Sequence, residues 1–149
     1  MPWVPYILPW THPHRHLRHA SAVSAVSSST YTPNLLATAT NASELLLLNA
    51  LTGGIVRQAP VSSVVTHLHF SHSNLLSAST DGYVRTYDPR TAIRRESGET
   101  SVQAHSSGIQ DLQVTGNFFF TIGWSLRSIF LISIPFQTIT EVQTWTRVS

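Results

Sequence analysis

The chain is predicted to be all-β, an incomplete β-propeller of about two to three blades, from a tight-hairpin signal, its recurrence at a blade-sized interval and regular turn punctuation. The hairpin lies in Leu75 to Thr91, LLSASTDGYVRTYDPRT. Between its apolar runs, Gly82 accepts the positive φ of a primed turn and Asp81 can bond the turn backbone. The strand before it, LLSAST, repeats LLATAT of Leu35 to Thr40, 75 − 35 = 40 residues earlier, within the roughly 40–45 residues of a four-stranded blade. Leu48-Asn49 likewise stands where Tyr87-Asp88 stands, 87 − 48 = 39 residues apart. A third copy opens at Ala104-His105 and runs through GIQDLQV, Gly116-Asn117 and FFFTIG, after which the pattern stops.

These copies divide the chain into residues 1–33, a head outside the propeller and expected to be disordered, residues 34–127, the partial propeller, and residues 128–149, a divergent tail. The head carries five of the eight prolines, and no acidic residue precedes Glu44. Within the propeller the hairpin closed by Tyr87-Asp88, a Trp-Asp-like pair, resembles a WD-repeat blade. In such blades a Ser or Thr, an Asp and a Trp form a hydrogen-bonded network with the His of the opening loop. The resemblance places Ser79, Asp81 and Tyr87 in three of those roles, with Gly82 in the turn, Asp88 at the strand end and His105 opening the next copy; the His role of the central copy is empty.

A narrower resemblance is carried by AHSSGIQDLQVTGNFFFTIGWSLR, where Gly123, Trp124, Ser125, Leu126 and Arg127 form a run that generic blades seldom have. From about Asn34 to Arg127 the chain resembles the N-terminal propeller of the catalytic subunit of the poly(A)-nuclease deadenylation complex, in its fungal form. The resemblance implies a protein-docking platform in mRNA decay, a pseudokinase-like regulatory subunit as partner, contact with RNA through the complex and a cytoplasmic location. After Arg127 the family continues into a third strand with its own Trp-Asp equivalent. Here SIFLISIPFQTITEVQTWTRVS follows, without an Asp, so both ends are expected to be foreign to the propeller and the family sequence truncated at both.

Catalysis is not expected. The family's exonuclease holds metal ions with clustered carboxylates about 3.5–4 Å from ion to ion. The seven acidic residues here, Glu44, Asp81, Asp88, Glu96, Glu99, Asp111 and Glu141, are scattered. No cofactor or metal site is predicted. His12, His14, His16 and His19 are dense enough to consider zinc, yet Pro13, Arg15 and Arg18 interrupt them and no carboxylate lies near. His67 and His69 alternate along one strand and share a face, expected to meet solvent.

All nine basic residues are Arg, and the net charge is only +2, which says little about nucleic acid. Arg85, Arg90, Arg94 and Arg95 could hold phosphates, which makes a poly(A)-RNA surface one alternative; a generic WD-repeat adaptor is the other. Asp88, Glu96 and Glu99 interleave with those arginines and favour a self-paired surface. Phe118, Phe119 and Phe120 are expected to be buried between blades rather than to stack on bases. There is no Cys, so no disulfide forms. SIFLISIPF is shorter than the about 20 apolar residues that cross a membrane, so no membrane partner is expected. The head places Trp3 to Trp10 before its first Arg, the reverse of a secretory signal, and its Arg- and Ser-containing, acid-free composition fits a mitochondrial transit peptide only loosely, with the family resemblance against it.

Overall fold

The computed structural model describes residues 19–72, 74–90, 100–116, 118–124, 128–133 and 143–146. Among the described residues, twelve strands make three four-stranded antiparallel sheets, each a meander of consecutive strands. The first holds β1 (Val23–Ser28), β2 (Leu35–Thr40), β3 (Glu44–Asn49) and β4 (Ile55–Pro60). The second holds β5 (Val65–Ser71), β6 (Asn74–Ser79), β7 (Tyr83–Tyr87) and β8 (Thr100–Gln103). β9 (Ile109–Thr115), β10 (Phe118–Gly123), β11 (Ser128–Ser133) and β12 (Gln143–Thr146) form the third.

Two boundaries move. The head, expected to stay outside the propeller through residue 33, supplies β1, which pairs with β2 from Val23 opposite Thr40 to Ser28 opposite Leu36. VSAVSS alternates small residues with no turn signal before it, so its period was easy to miss. Residues 1–18 of that head lie outside the described residues. The third copy, expected to stop at residue 127, is completed by β11 and β12 from the tail. Backbone pairing needs no Trp-Asp ending, only an extended run facing β10.

The repeat interval also changes by one. Ser43 N–H donates to Thr40 O as Gly82 N–H donates to Ser79 O, each at 3.1 Å, and Asn41 N–H donates to Ala22 O as Thr80 N–H donates to Val64 O. Thr40 therefore matches Ser79, 79 − 40 = 39 residues on, and Leu35 matches Asn74 rather than Leu75. Because side chains alternate with period two, the one-residue slip exchanges the two faces of the strand.

The sheets pack face to face, with β1, β5 and β9 adjacent in series. Each of these first strands carries a bulge at one place, between Val23 and Ala25, Val65 and His67, and Ile109 and Asp111. One core lies between the first and second sheets, built from Ala37, Ala39, Leu45 and Leu47 against Val65, Phe70, Leu75 and Tyr87. A second lies between the second and third, from Leu76, Ala78 and Val84 against Ile109, Leu112 and Phe119. Leu45 to Leu48 are apolar without alternation because both faces of β3 are buried. Each such Leu contributes roughly 1.5–3 kcal/mol by leaving water. Polar bonds stitch the same junctions: Phe70 N–H donates to Ser27 Oγ (3.2 Å), and Thr66 Oγ1 donates to Ile109 O (3.1 Å). Arg57 on β4 donates to Pro89 O and Arg90 O of the second sheet, at 3.0 and 2.7 Å.

Candidate functional site

The β6–β7 hairpin gathers four of the residues singled out from sequence. Gly82 has φ +83°, and a Cβ there would collide with the His105 carbonyl oxygen and come within 2.7 Å of Ser107 O. Glycine is thus required both by conformation and by space. Its own carbonyl accepts from Ala104 N–H (2.9 Å) and His105 N–H (3.1 Å), tying the hairpin to the loop that opens the third blade. Asp81 Oδ1 accepts from Tyr83 N–H at 3.2 Å.

The main partner of Asp81 is a residue the sequence reading assigned to the surface. Arg85 is buried, and its Nη1 and Nη2 donate to Asp81 Oδ1 and Oδ2 at 3.2 and 2.6 Å, while Nη1 also reaches Ser79 Oγ at 3.3 Å. Its guanidinium lies 5.1 Å from the Tyr83 ring centroid. Burial pushes the Asp81 carboxyl up, but the Arg85 hydrogen bond, the Tyr83 amide and the Arg85 charge together hold it below its ordinary value. One signal could have found this: with Tyr87 inward, period two puts Arg85 inward as well.

Tyr87 is buried in the first inter-blade core, and Asp88 ends the strand on the surface. The Arg90 side chain donates to Asp88 Oδ1 (3.0 Å) and Oδ2 (2.9 Å), and its backbone N–H donates to Oδ1 as well. The Arg90 hydrogen bonds first, with the charges of Arg90 and Arg57 adding to them, hold that carboxyl below its ordinary range against the opposing effect of burial. Arg94, Arg95, Glu96 and Glu99 lie outside the described residues, as do Ser125, Leu126 and Arg127.

His105 is buried in the third blade, with Nε2 3.0 Å from Thr121 Oγ1. Its ring lies over Gly123, where a Cβ would approach to 2.7 Å. Burial lowers its basicity more than the Thr121 contact raises it. Pairing aligns Thr121 (opposite Leu112) with Ser77 (opposite Leu68), 121 − 77 = 112 − 68 = 44 residues apart, and Ser77 with Thr38, 39 residues earlier. Thr38 and Ser77 have buried hydroxyls without a partner. The place of His105 before the second blade falls at Ser62, since Val61 N–H bonds Ser43 O as Ala104 N–H bonds Gly82 O. A serine there leaves the His role empty. In the first blade, Ala42 and Leu46 replace Asp81 and Arg85, and the Thr40 hydroxyl is likewise unpartnered.

His67 and His69 do share a face, but it is the face toward the third blade. His67 Nε2 lies 3.4 Å from Asp111 Oδ1, whereas His69 is exposed. Phe119 is fully buried as expected of the aromatic run, while Phe118 and Phe120, expected to be buried too, point the other way and are exposed. Among the described residues no three His, Cys, Asp or Glu side chains come together as a metal site, and no helix is long and apolar enough to cross a membrane.

Consecutive four-stranded meanders, packed in series through their first strands, with an Asp-Gly hairpin in the second and a buried His–Thr contact in the third, are the blades of an incomplete β-propeller of the WD-repeat class. No family model matches the chain. Over 81 residues it is 38% identical to the PAN2-PAN3 deadenylation complex catalytic subunit PAN2 of Cryptococcus neoformans var. neoformans serotype D, in each of two strains; this is 54% of the chain. The chain spans about 7% of the length of those relatives. The Neurospora crassa Pan2 WD40 domain overlays on 87% of the chain with a TM-score of 0.66, using 42% of that domain's chain at 18% identity. The computationally designed Ika4 protein overlays on 85% with a TM-score of 0.70, over 74% of its own chain at 23% identity. The likeness is thus to a PAN2-type WD40 region, and not to a nuclease domain.

Proposed function

We propose that the chain is a non-catalytic WD-repeat docking element of a poly(A)-tail-shortening assembly, acting in the cytoplasm through a regulatory subunit of the PAN3 kind. The observation that carries this reading is the 81-residue match to PAN2, laid on blades whose Asp81–Arg85 and His105–Thr121 pairs are spent within the fold. Asp81, Arg85 and Ser79 hold one another in the fold, and the hydroxyl–imidazole pair Thr121 and His105, at 3.0 Å, is buried inside the third blade where a substrate does not reach. The RNA-surface alternative loses support because Arg85 is buried against Asp81 and Arg90 is held by Asp88. Co-expression with the PAN3 subunit of Cryptococcus neoformans tests the reading. Co-purification of the two is expected, with no shortening of a poly(A) substrate by the chain. PAN3 retained by full-length PAN2 but not by this chain would overturn it, and tight poly(A) binding with a steep salt slope would transfer support to the RNA reading.

A further inference from the structure

The connection between β1 and β2 is longer than the repeat requires. It has 34 − 28 = 6 residues, whereas β5 joins β6 and β9 joins β10 with 73 − 71 = 117 − 115 = 2. The added residues are fastened to both blades. Ser29 Oγ accepts from Tyr31 N–H (3.3 Å) and Thr32 N–H (2.9 Å), Asn34 O accepts from Ala50 N–H (2.7 Å), and the Tyr31 ring stacks on His72 of the second sheet with centroids 5.5 Å apart. Within this loop Thr32 and Pro33 are exposed, and among the described residues nothing bonds the Thr32 hydroxyl. Thr32-Pro33 is also the one Ser-Pro or Thr-Pro dipeptide in the sequence.

We propose that Thr32 is a phosphorylation site for a proline-directed Ser/Thr protein kinase. Pro33 biases Thr32 to the extended backbone that a substrate adopts in a kinase groove. It also has no N–H, so a groove that offers no acceptor after the hydroxyl residue takes it without leaving a donor unpaired. The neighbouring hydroxyls lack this advantage: Ser29 Oγ is held by two amides, and Thr30 and Tyr31 are each followed by a residue with an N–H. Entry into the groove opens the turn from Thr32 to Leu35, which one long bond closes, Leu35 N–H to Thr32 O at 3.3 Å, with Asn34 at φ 61°. Thr32 Oγ then attacks the γ-phosphorus of ATP. The Oγ–P bond forms, the bond from that phosphorus to the β–γ bridging oxygen breaks, ADP leaves, and the hydroxyl proton passes to the kinase's base. The consequence is electrostatic. Residues 29–34 and 50–54, the two connections at this end of the first sheet, carry no charge and expose Tyr31 (62%) and Leu51 (71%). A phosphate brings about −1.5 to −2 charges and three acceptor oxygens, turning a neutral surface suited to apolar contact into one that Arg groups read. This goes beyond the docking reading and does not depend on it.

The test incubates the full chain, folded by its β-sheet circular dichroism, with a purified mitogen-activated protein kinase, ATP and magnesium, beside a synthetic peptide of residues 27–37. Fragmentation mass spectrometry locates the phosphate. A single phosphate on Thr32 is expected, with kcat/KM for the folded chain within about tenfold of that for the peptide. Thr32→Val should abolish the modification and Thr32→Ser should keep it. Pro33→Ala should lower kcat/KM at least tenfold in the chain and in the peptide, the peptide having no fold for the substitution to disturb. Refusal of the folded chain while the peptide is taken, refusal of both, phosphate on Ser29, Thr30 or Tyr31 instead, or a rate indifferent to Pro33→Ala would each overturn the proposal.

Discussion

Thr121→Val and Ser77→Ala remove a hydroxyl from the same structural position in two blades and should have opposite consequences. In the third blade the hydroxyl is fully buried and meets His105 Nε2 at 3.0 Å. Removing it deletes a buried hydrogen bond and takes from the ring nitrogen the partner it had, a loss of about 1–3 kcal/mol. In the second blade the hydroxyl is just as buried but has no partner, so its burial is already unfavourable. Ser77→Ala should be neutral or stabilising by up to about 1 kcal/mol. The two variants are thus expected to differ by about 2 kcal/mol, read as a separation of roughly 4–8 °C in Tm for a domain of this size. Urea unfolding of each variant, with coincident fluorescence and circular-dichroism transitions to justify a two-state treatment, gives the free energies. Combining Thr121→Val with His105→Ala closes a double-mutant cycle, where a coupling of at least about 0.5 kcal/mol is expected. Equal losses for Ser77→Ala and Thr121→Val, or no coupling in the cycle, would refute the pairing.

Asp81→Ala leaves the buried Arg85 without its bidentate carboxylate and should cost about 2–3 kcal/mol, checked by urea unfolding at neutral pH; a loss below about 0.5 kcal/mol would remove Asp81 from the blade framework. The same carboxyl titrates lower in the folded chain than in the unfolded one, so its contribution is complete above the unfolded pKa, near 3.8, and fades as pH falls through the lower folded value. Gly82→Val meets the His105 carbonyl and demands a positive φ from a β-branched residue, so the folded yield should collapse while Ser43, already left-handed at φ 57° in the matching turn, accepts glycine without loss. His105 is less basic folded than unfolded; stability should therefore be full above its unfolded pKa near 6.5 and decline on acidification below it, a decline that His105→Gln should flatten in a pH series of melting curves.

The sequence was most legible where local chemistry decides structure. Asp81-Gly82 announces its turn because glycine takes φ +83° without strain and the Asp81 carboxylate accepts from the Tyr83 amide, and the recurrence of apolar runs announces a repeat. What it concealed depends on faces. LLATAT and LLSAST match best by eye at an interval of 40, but hydrogen bonding sets the interval at 39, and letters alone cannot tell which of two neighbouring leucines faces inward. Arg85 shows the same difficulty: a charged residue is read as surface unless its strand register is known. The first strand and the last two strands were missed because their pairing is backbone pairing, which leaves little trace in side-chain identity. His67 could be placed on a face from its period, but the nearness of Asp111 is a relation between blades.

That each sheet is made of consecutive strands has a kinetic consequence. Within a blade every pairing closes a short loop, so its nucleation costs little chain entropy, and contacts between blades add only nearest-neighbour terms. Such a chain folds by propagation from one repeat to the next, as a one-dimensional cooperative array does. Among the described sheets only the second is flanked on both sides, by the Tyr87 core and the Ile109 core. Opening either end exposes one interface, whereas opening the second sheet exposes two. Its amides are therefore the ones that exchange with solvent only when the whole array comes apart, and the growth of order runs outward from the Asp81-Gly82 hairpin.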